Sequence, residues 1–432
     1  MQMKFRRIIA ALSACLLLCG LFTACGRNSG EDNRPPLRVW VLSEDYKADL
    51  ERATETAFTS IDWRLEVEVV GTEELYTLLE EQDSRTGGQP DVFMLPPDLL
   101  AAFTASEVTA DLGALGLEFD PSRYYGYTID AGTSADGILK AACYEADPGL
   151  FFYRRSLAEY YLGTDDPGQI QDMLCDWDSF LQTARTLSEA SNGNTYMVVG
   201  VEELMMPYLS GTSLVKDGQL SIGEKPLEFM EYCRTMASEE LIFNAQQWSD
   251  AWIAGISDPQ SVFGYFSSGL GMENVLKPCC GGSISGEGSY GDWAAVPGPA
   301  AYNWGGCWFA VHSQSSMTEE AALFVEHFTC EEAAMRTDRL ISGSFSANRT
   351  VVEQIKFDSQ FTESFLSAQN CYNMMAQTAD NIVMDDLTVY DSIVEPIFAQ
   401  CVTEYAFGQR TLEQTLSDIE RTIQAVYPEL VG

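Results

Sequence analysis

Residues Tyr302-Asn303-Trp304-Gly305-Gly306 set a phenol, an amide and an indole beside two glycines, a combination suited to holding a ligand rather than transforming one. Glycines let backbone N–H and C=O groups approach a bound molecule, and the indole offers it a flat apolar face. Read as a loop, the stretch leaves Trp304 poorly placed for a core, which points its ring at a binding surface. No catalytic signature accompanies it: G-x-S-x-G, H-E-x-x-H and the phosphate-binding P-loop are all missing from the sequence. Carboxylate pairs for glycan hydrolysis could always be drawn from 64 acidic residues, so their abundance is uninformative. Only two histidines occur, His312 and His327, and no C-x-x-C spacing follows Cys25. Zinc is not expected, nor is any other metal or cofactor.

The elements that must position such residues begin with Leu37–Leu42, an almost continuous apolar run expected to be a strand buried on both faces. A helical segment carries Leu50, Ala53, Ala57 and Phe58. Leu65, Val67 and Val69 then alternate with charged residues, a helix follows with Leu75, Leu78 and Leu79, and Asp91–Leu95 precedes Pro96-Pro97. Strand, helix, strand, helix, strand predicts a parallel α/β sheet, with ligands at the carboxyl ends of its strands. That rule brings Ser43–Tyr46 and Leu95–Asp98 to any cleft. Residues 151–275 are mainly helical, with a short strand over Met197–Val201 and a tight hairpin at Asp217-Gly218. Strand character returns at Asp292–Pro297 and Cys307–Val311. Thr318 is then expected to cap a helix whose Ala321, Phe324, Val325 and Phe328 share a face. Near the end Thr411-Leu412-Glu413-Gln414 has capping-box form ahead of a stripe ending at Val426. An α/β start, a helical middle and returning strands indicate two lobes between which the chain crosses more than once.

The amino terminus reads as an export signal: Lys4, Arg6 and Arg7, then an apolar run from Ile8 to Phe22, too short for a bilayer that needs about 20 residues. Thr23-Ala24-Cys25-Gly26 resembles the bacterial lipobox, which implies residues 1–24 as a lipoprotein signal peptide and acylation of Cys25. Residues 25–36 read as a flexible tether, so the only contact expected with the membrane is a lipid on its extracytoplasmic face. With the three leader cations removed, 22 basic residues face 64 acidic ones, a net of −42 that repels nucleic acid and anionic membrane surfaces. The nine cysteines beyond Cys25 are an odd number and cannot all pair within one chain. Most are expected as buried thiols, which suits life without oxygen.

In order along the chain, five short motifs resemble the extracellular solute-binding proteins of carbohydrate ABC importers, the maltose-binding-protein-like family. Pro90-Asp91-Val92-Phe93 resembles its P-D-V strand, and Tyr153–Leu157 with Gly163, Pro167 and Trp177–Phe180 its next block. Phe266–Gly269 before Met272, Pro297-Gly298-Pro299 before Gly305-Gly306, and Gly408–Gln414 complete the set. The resemblance implies a two-lobed α/β fold of the periplasmic type II class, joined by a multi-segment hinge with a ligand cleft between lobes. The expected lobes are 37–145 plus about 292–345, and 146–291 plus about 346–432.

It also implies a neutral mono- or oligosaccharide as ligand and ABC permease subunits as partners, with binding rather than enzymatic turnover. A sugar presents weakly apolar C–H faces for aromatic rings and hydroxyls for acids and amides. Trp304 leads the candidate site, supported by Tyr302, Asn303, Gly305 and Gly306. Tyr208, in Met206-Pro207-Tyr208, resembles the family's stacking tyrosine, with core packing as its alternative. Asp147 stands where the family often has a ligand-binding acid, and a turn at Asp147-Pro148-Gly149 accounts for it equally. Tyr390 resembles loosely a late stacking aromatic. A sensor or adhesin of the same fold, or a surface glycan-active enzyme, are the competing readings.

Overall fold

The computed structural model describes residues 33–431 apart from 59–60, 81–87 and 385–386. Cys25, the leader and most of the tether lie outside the described residues. Among the described residues no helix is long and apolar enough to cross a membrane.

Strand β1 (Pro36–Val41) pairs in parallel with β2 (Arg64–Val69) and β3 (Val92–Leu95). Helices α1 (Glu44–Ala57) and α2 (Thr72–Glu80) join the three strands, and α3 (Pro97–Thr104) follows β3 directly. This is the alternation expected. The burial of β1 is not: Leu37, Val39 and Val41 are buried while the residues between them are half-exposed. Its other face carries Trp40, partly buried against the core that holds Phe93 and Leu95, with its indole donating to Glu68 at 3.2 Å, so β1 meets a core on each face but is fully buried on one. The sheet is completed by β4 (Ala141–Pro148) and by a strand from much later in the chain, β10 (Asn303–Val311), giving the order β2-β1-β3-β10-β4.

A second sheet forms from β5 (Leu150–Arg154), and the chain enters it from β4 through Gly149 alone. A Cβ at Gly149 would stand 2.0 Å from the Tyr302 ring, so the crossing has room only for glycine. Around this sheet lie α4 (Trp177–Ser191), α5 (Val201–Leu209), the hairpin β6 (Val215–Lys216) and β7 (Gln219–Leu220), and α6 (Glu224–Ser238). Asp217 and Gly218 both take positive φ, the turn expected from their types. Helix α7 (Asp250–Ser257) leads to β8 (Gly264–Ser267) and β9 (Trp293–Val296), in the antiparallel order β8-β5-β9.

This pairing moves a boundary. A first lobe resuming at about residue 292 is not what the structure has: β9 pairs with β5, and the first sheet is rejoined only by β10 (Asn303–Val311). Both are short apolar runs, and only the partner strand separates them. Met197–Val201 is likewise not a full strand. Tyr196 and Val198 make isolated parallel bridges, and Val201 already opens α5.

Helices α8 (Thr318–Thr329) and α9 (Glu332–Ser342) pack back on the first lobe. Thr318 is the first helical residue of α8, and the cap position falls on Met317 without a side-chain bond. The chain then crosses a third time: the Ala146 N–H donates to Phe345 O at 3.1 Å, while downstream Phe365 stacks on Trp293. Helix α10 (Arg349–Ile355) keeps one hand on the first lobe, where the Arg349 guanidinium lies over Tyr125. Helices α11 (Asp391–Ala406) and α12 (Leu412–Val426) close the second lobe against α5 and α6. The capping box of Thr411 and Gln414 is made in both directions.

Every cysteine beyond Cys25 is a free thiol, and six of the nine are buried among apolar side chains, the role expected of small hydrophobes.

Candidate functional site

The pairing of β10 with β4 sets the site. Asn303 pairs with Pro148 and Gly305 with Asp147, a register shift that leaves Trp304 as the extra residue of a bulge. A bulge frees one residue from the ladder and re-aims its side chain. Trp304 therefore sits in a strand, not a loop, and is only half-buried. Its ring covers Gly271, where a Cβ would come within 3.1 Å of it, and meets the Trp248 ring edge-on at 6.3 Å.

Trp248 carries only a faint signal in the sequence, an apolar ring among polar residues, yet it is the feature of this region that most needs explaining. It is 51% exposed and holds φ at 66°, a left-handed conformation that costs a non-glycine residue about 1–2 kcal/mol. The surroundings enforce it. The Gln247 N–H donates to Glu202 Oε2 at 2.7 Å, and Ser249 caps α7 immediately afterwards. Behind Trp248 lies Trp252, ring centroids 4.9 Å apart, whose indole donates to Glu203 Oε1 at 2.5 Å. Glu203 also accepts from the Phe266 N–H at 3.1 Å, and its burial pushes its pKa up to about 8. Strand β8, α5 and α7 are thereby tied to one carboxyl group that backs the aromatic ledge.

The first lobe faces this side with the carboxyl ends of its strands. Asp98 lies exposed in the first turn of α3, its carboxyl raised by partial burial. Helix α3 packs against α11, and Tyr76 Oη of α2 stands 3.2 Å from Ser392 Oγ of α11. On α11, Glu395 keeps an exposed side chain, yet enclosure by protein, then Asp391 and Asp98, push its pKa up to about 7. Helix α5 touches both β10 and α11, joining the aromatic ledge to this acidic wall.

The other expected residues do different work. Asp147 is buried, accepts from Ser268 Oγ at 2.7 Å and the Leu270 N–H at 3.3 Å, and burial beside Glu145 raises its pKa well above the carboxylate range. It latches the end of β4 to the turn after β8, as part of the hinge rather than an open surface. Tyr302 is fully buried with its hydroxyl donating to Leu150 O and Ser267 O at 3.0 and 3.1 Å, which corrects its assignment to a ligand face. Asn303 spends its amide on Gly305 O at 2.8 Å, across the bulge. The two glycines serve the strand: a Cβ on Gly306, at φ 95°, would lie 2.3 Å from Glu145 O, and one on Gly305 3.1 Å from Asp147 Oδ2. Tyr390 is the N-cap of α11 and packs edge-on against Tyr427. Of the strand-end residues, Ser43 caps α1 and Tyr46 donates to buried Glu145 at 2.7 Å, while Glu44, Asp45 and Asp98 are exposed.

Tyr208 is not brought to Trp304. Its ring lies 4.7 Å from Trp177 and 5.2–5.3 Å from Tyr232 and Phe229, beside a cavity of about 690 Å³ bordered by Glu224, Glu228 and the crossing segment 299–301. That cavity has the size of a ligand site, but no residue of α1, α2 or α3 lines it.

Comparison with known proteins agrees with this architecture. A solved extracellular solute-binding protein of family 1 superposes with a TM-score of 0.79 at 16% identity, covering 91% of this chain and 100% of that one. The sugar-binding protein MalE from the phytopathogen Xanthomonas citri gives 0.73 at 14%, over 91% and 98% of the two chains. Maltose-bound MalE3 of T. maritima gives 0.64 at 17%, over 90% and 99%. Among curated proteins no relative matches. At these identities the solved structures establish the fold, a two-lobed MalE-like binding protein. The bacterial extracellular solute-binding protein family matches residues 52–363, a span that begins within α1 and takes in every strand of both sheets except β1, and the chain belongs to that family.

Proposed function

We propose that this protein captures a neutral sugar or oligosaccharide outside the cell and hands it to the permease of an ABC importer, held to the membrane by a lipid on Cys25. The ligand lies between the lobes, with Trp304 and Trp248 stacking on its C–H faces and Asp98 accepting from its hydroxyls. The observation that carries this reading is Trp248, an exposed indole kept in a left-handed backbone beside the Trp304 ring at the lobe crossing. A large apolar ring held against both solvent and backbone preference is explained by a flat partner. Closure follows because only a ligand touching both lobes favours the closed arrangement, the shape a transporter can then recognise.

The chemistry required is binding alone. Glu203 has both oxygens occupied by the Trp252 indole and the Phe266 N–H, so it positions the ledge and transfers no proton. The test is intrinsic tryptophan fluorescence and melting temperature across a panel of mono- and oligosaccharides, maltose included. A saturable change, with about 2.7 kcal/mol of added stability at a hundredfold excess over Kd, is the expected result. Silence across the panel for the native protein sinks the sugar reading. Loss of the response in Tyr208→Ala but not in Trp304→Ala moves the site to the Tyr208 cavity.

A further inference from the structure

Between the strand crossing at Trp304 and helix α11, the second lobe leaves large apolar side chains uncovered. Helix α5 touches both β10, which carries Trp304, and α11. The first lobe meets α11 through α3, and through Tyr76 of α2, whose Oη stands 3.2 Å from Ser392 Oγ. The surface along α5 therefore has the aromatic ledge at one end and a contact with the first lobe at the other.

Local contacts put these side chains in order. Glu202 Oε2 accepts the Gln247 N–H at 2.7 Å, which sets Trp248, the next residue, beside the first turn of α5. Met206 lies one turn farther along the face that carries Glu202 and is 45% exposed. Tyr208, two residues on, turns into its own cavity, which Met206 does not border. Past the end of α5, Gly211 holds φ at 66°, and a Cβ there would lie 3.4 Å from Val383 Cβ. Val383 is 49% exposed while Ile382 and Met384 on either side are buried, so the alternation points it outward. Trp304, Trp248, Met206 and Val383 thus follow one another along α5, whose nine residues span about 13 Å. That is longer than a single sugar ring.

We infer that the ligand is an oligosaccharide of several rings, with one ring on Trp304 and Trp248 and the following rings laid along Met206 and Val383. The inference rests on the sugar reading of the ledge and extends it in one direction. An apolar row that continues a stacking surface marks where a ligand continues. The row is one side chain wide and open to solvent. A lipid tail needs enclosure, whereas a sugar chain lays its weakly apolar C–H faces on such a row and keeps its hydroxyls in water. Each ring added over Met206 and Val383 removes apolar area from water on both partners, so affinity rises with chain length until the row is covered.

The experiment titrates tryptophan fluorescence with length ladders, monosaccharide to tetrasaccharide, derived from maltodextrin, cellulose and mannan. On a ladder that binds, Kd should fall by about tenfold or more between the monosaccharide and the trisaccharide. Met206→Ser and Val383→Ser, each at a half-exposed side chain, should cut that gain to about threefold or less, and Met206→Leu should keep it. Equal affinity along a ladder that binds overturns the inference and leaves the sugar reading standing. So do serine variants that keep the native gain. Serine variants that weaken the monosaccharide as much as the trisaccharide overturn it too, and make the row a surface on which the lobes close. Silence on every ladder overturns the inference together with the reading it rests on.

Discussion

Two aromatic clusters of the second lobe use the same residue types to opposite ends. Trp177, Tyr208, Phe229 and Tyr232 pack ring on ring among helices α4, α5 and α6, all on ordinary helical backbone. Trp248, Trp252 and Trp304 gather where the chain crosses between lobes, and there the backbone is distorted: a bulge at Trp304 and a left-handed residue at Trp248. The first arrangement is what apolar burial gives unaided. The second keeps one ring exposed and one half-buried and holds them with polar bonds from Glu202 and Glu203, an arrangement that stability alone does not favour.

The contrast can be broken from either side. The largest expected effect is at Glu203, whose folded pKa of about 8 exceeds that of a free carboxyl near 4.5. Its ionisation opposes folding, so stability should fall by roughly 2–4 kcal/mol as pH rises from about 5 to 9. In Glu203→Gln, which keeps an acceptor for Trp252, denaturant melts at several pH values should lose that dependence; an unchanged slope rejects the assignment. Next comes Trp304→Ala, which should weaken sugar binding tenfold to a hundredfold, about 1.4–2.8 kcal/mol, with little change in melting temperature. Tyr208→Ala should do the reverse, costing about 1–3 kcal/mol of stability while titrations with the same sugar give an unchanged Kd. The smallest and most diagnostic effect is at Trp248. Glycine there relieves the left-handed strain, so Trp248→Gly should raise stability by up to about 1 kcal/mol while weakening binding. A protein that loses stability and binds as before would make Trp248 a packing residue like Tyr208.

Much of the scaffold was open to inspection because its signals are local. The β1-α1-β2-α2-β3 alternation, the Asp217-Gly218 turn and the Thr411 capping box each follow from a few neighbouring side chains. The strand-end rule also reached Asp98, exposed in the first turn of α3, a helix that packs against α11. The lobe boundary near 292 did not survive, because the Trp293–Val296 run carries no mark of which sheet will pair with it. The same blindness affected Tyr302, whose phenol looks like a ligand group until Leu150 O and Ser267 O are found within its reach. Trp248 had one faint signal, an apolar ring amid Gln246, Gln247 and Ser249 with no periodic partner, and nothing local could rank it above other aromatics.

By itself, the sequence determined that the chain alternates strand and helix at its start, that it carries a pronounced acid excess, and that tryptophan and glycines meet at 304–306. Those properties depend on residue type and on spacing within a few positions. The tertiary structure alone decided that Gly305 and Gly306 serve a strand, that Asp147 latches a hinge, and that Trp248 meets the Trp304 ring edge-on. Pairing partner, bulge and enclosure are set by contacts between distant segments, and a carboxyl group acquires its pKa only when those contacts surround it.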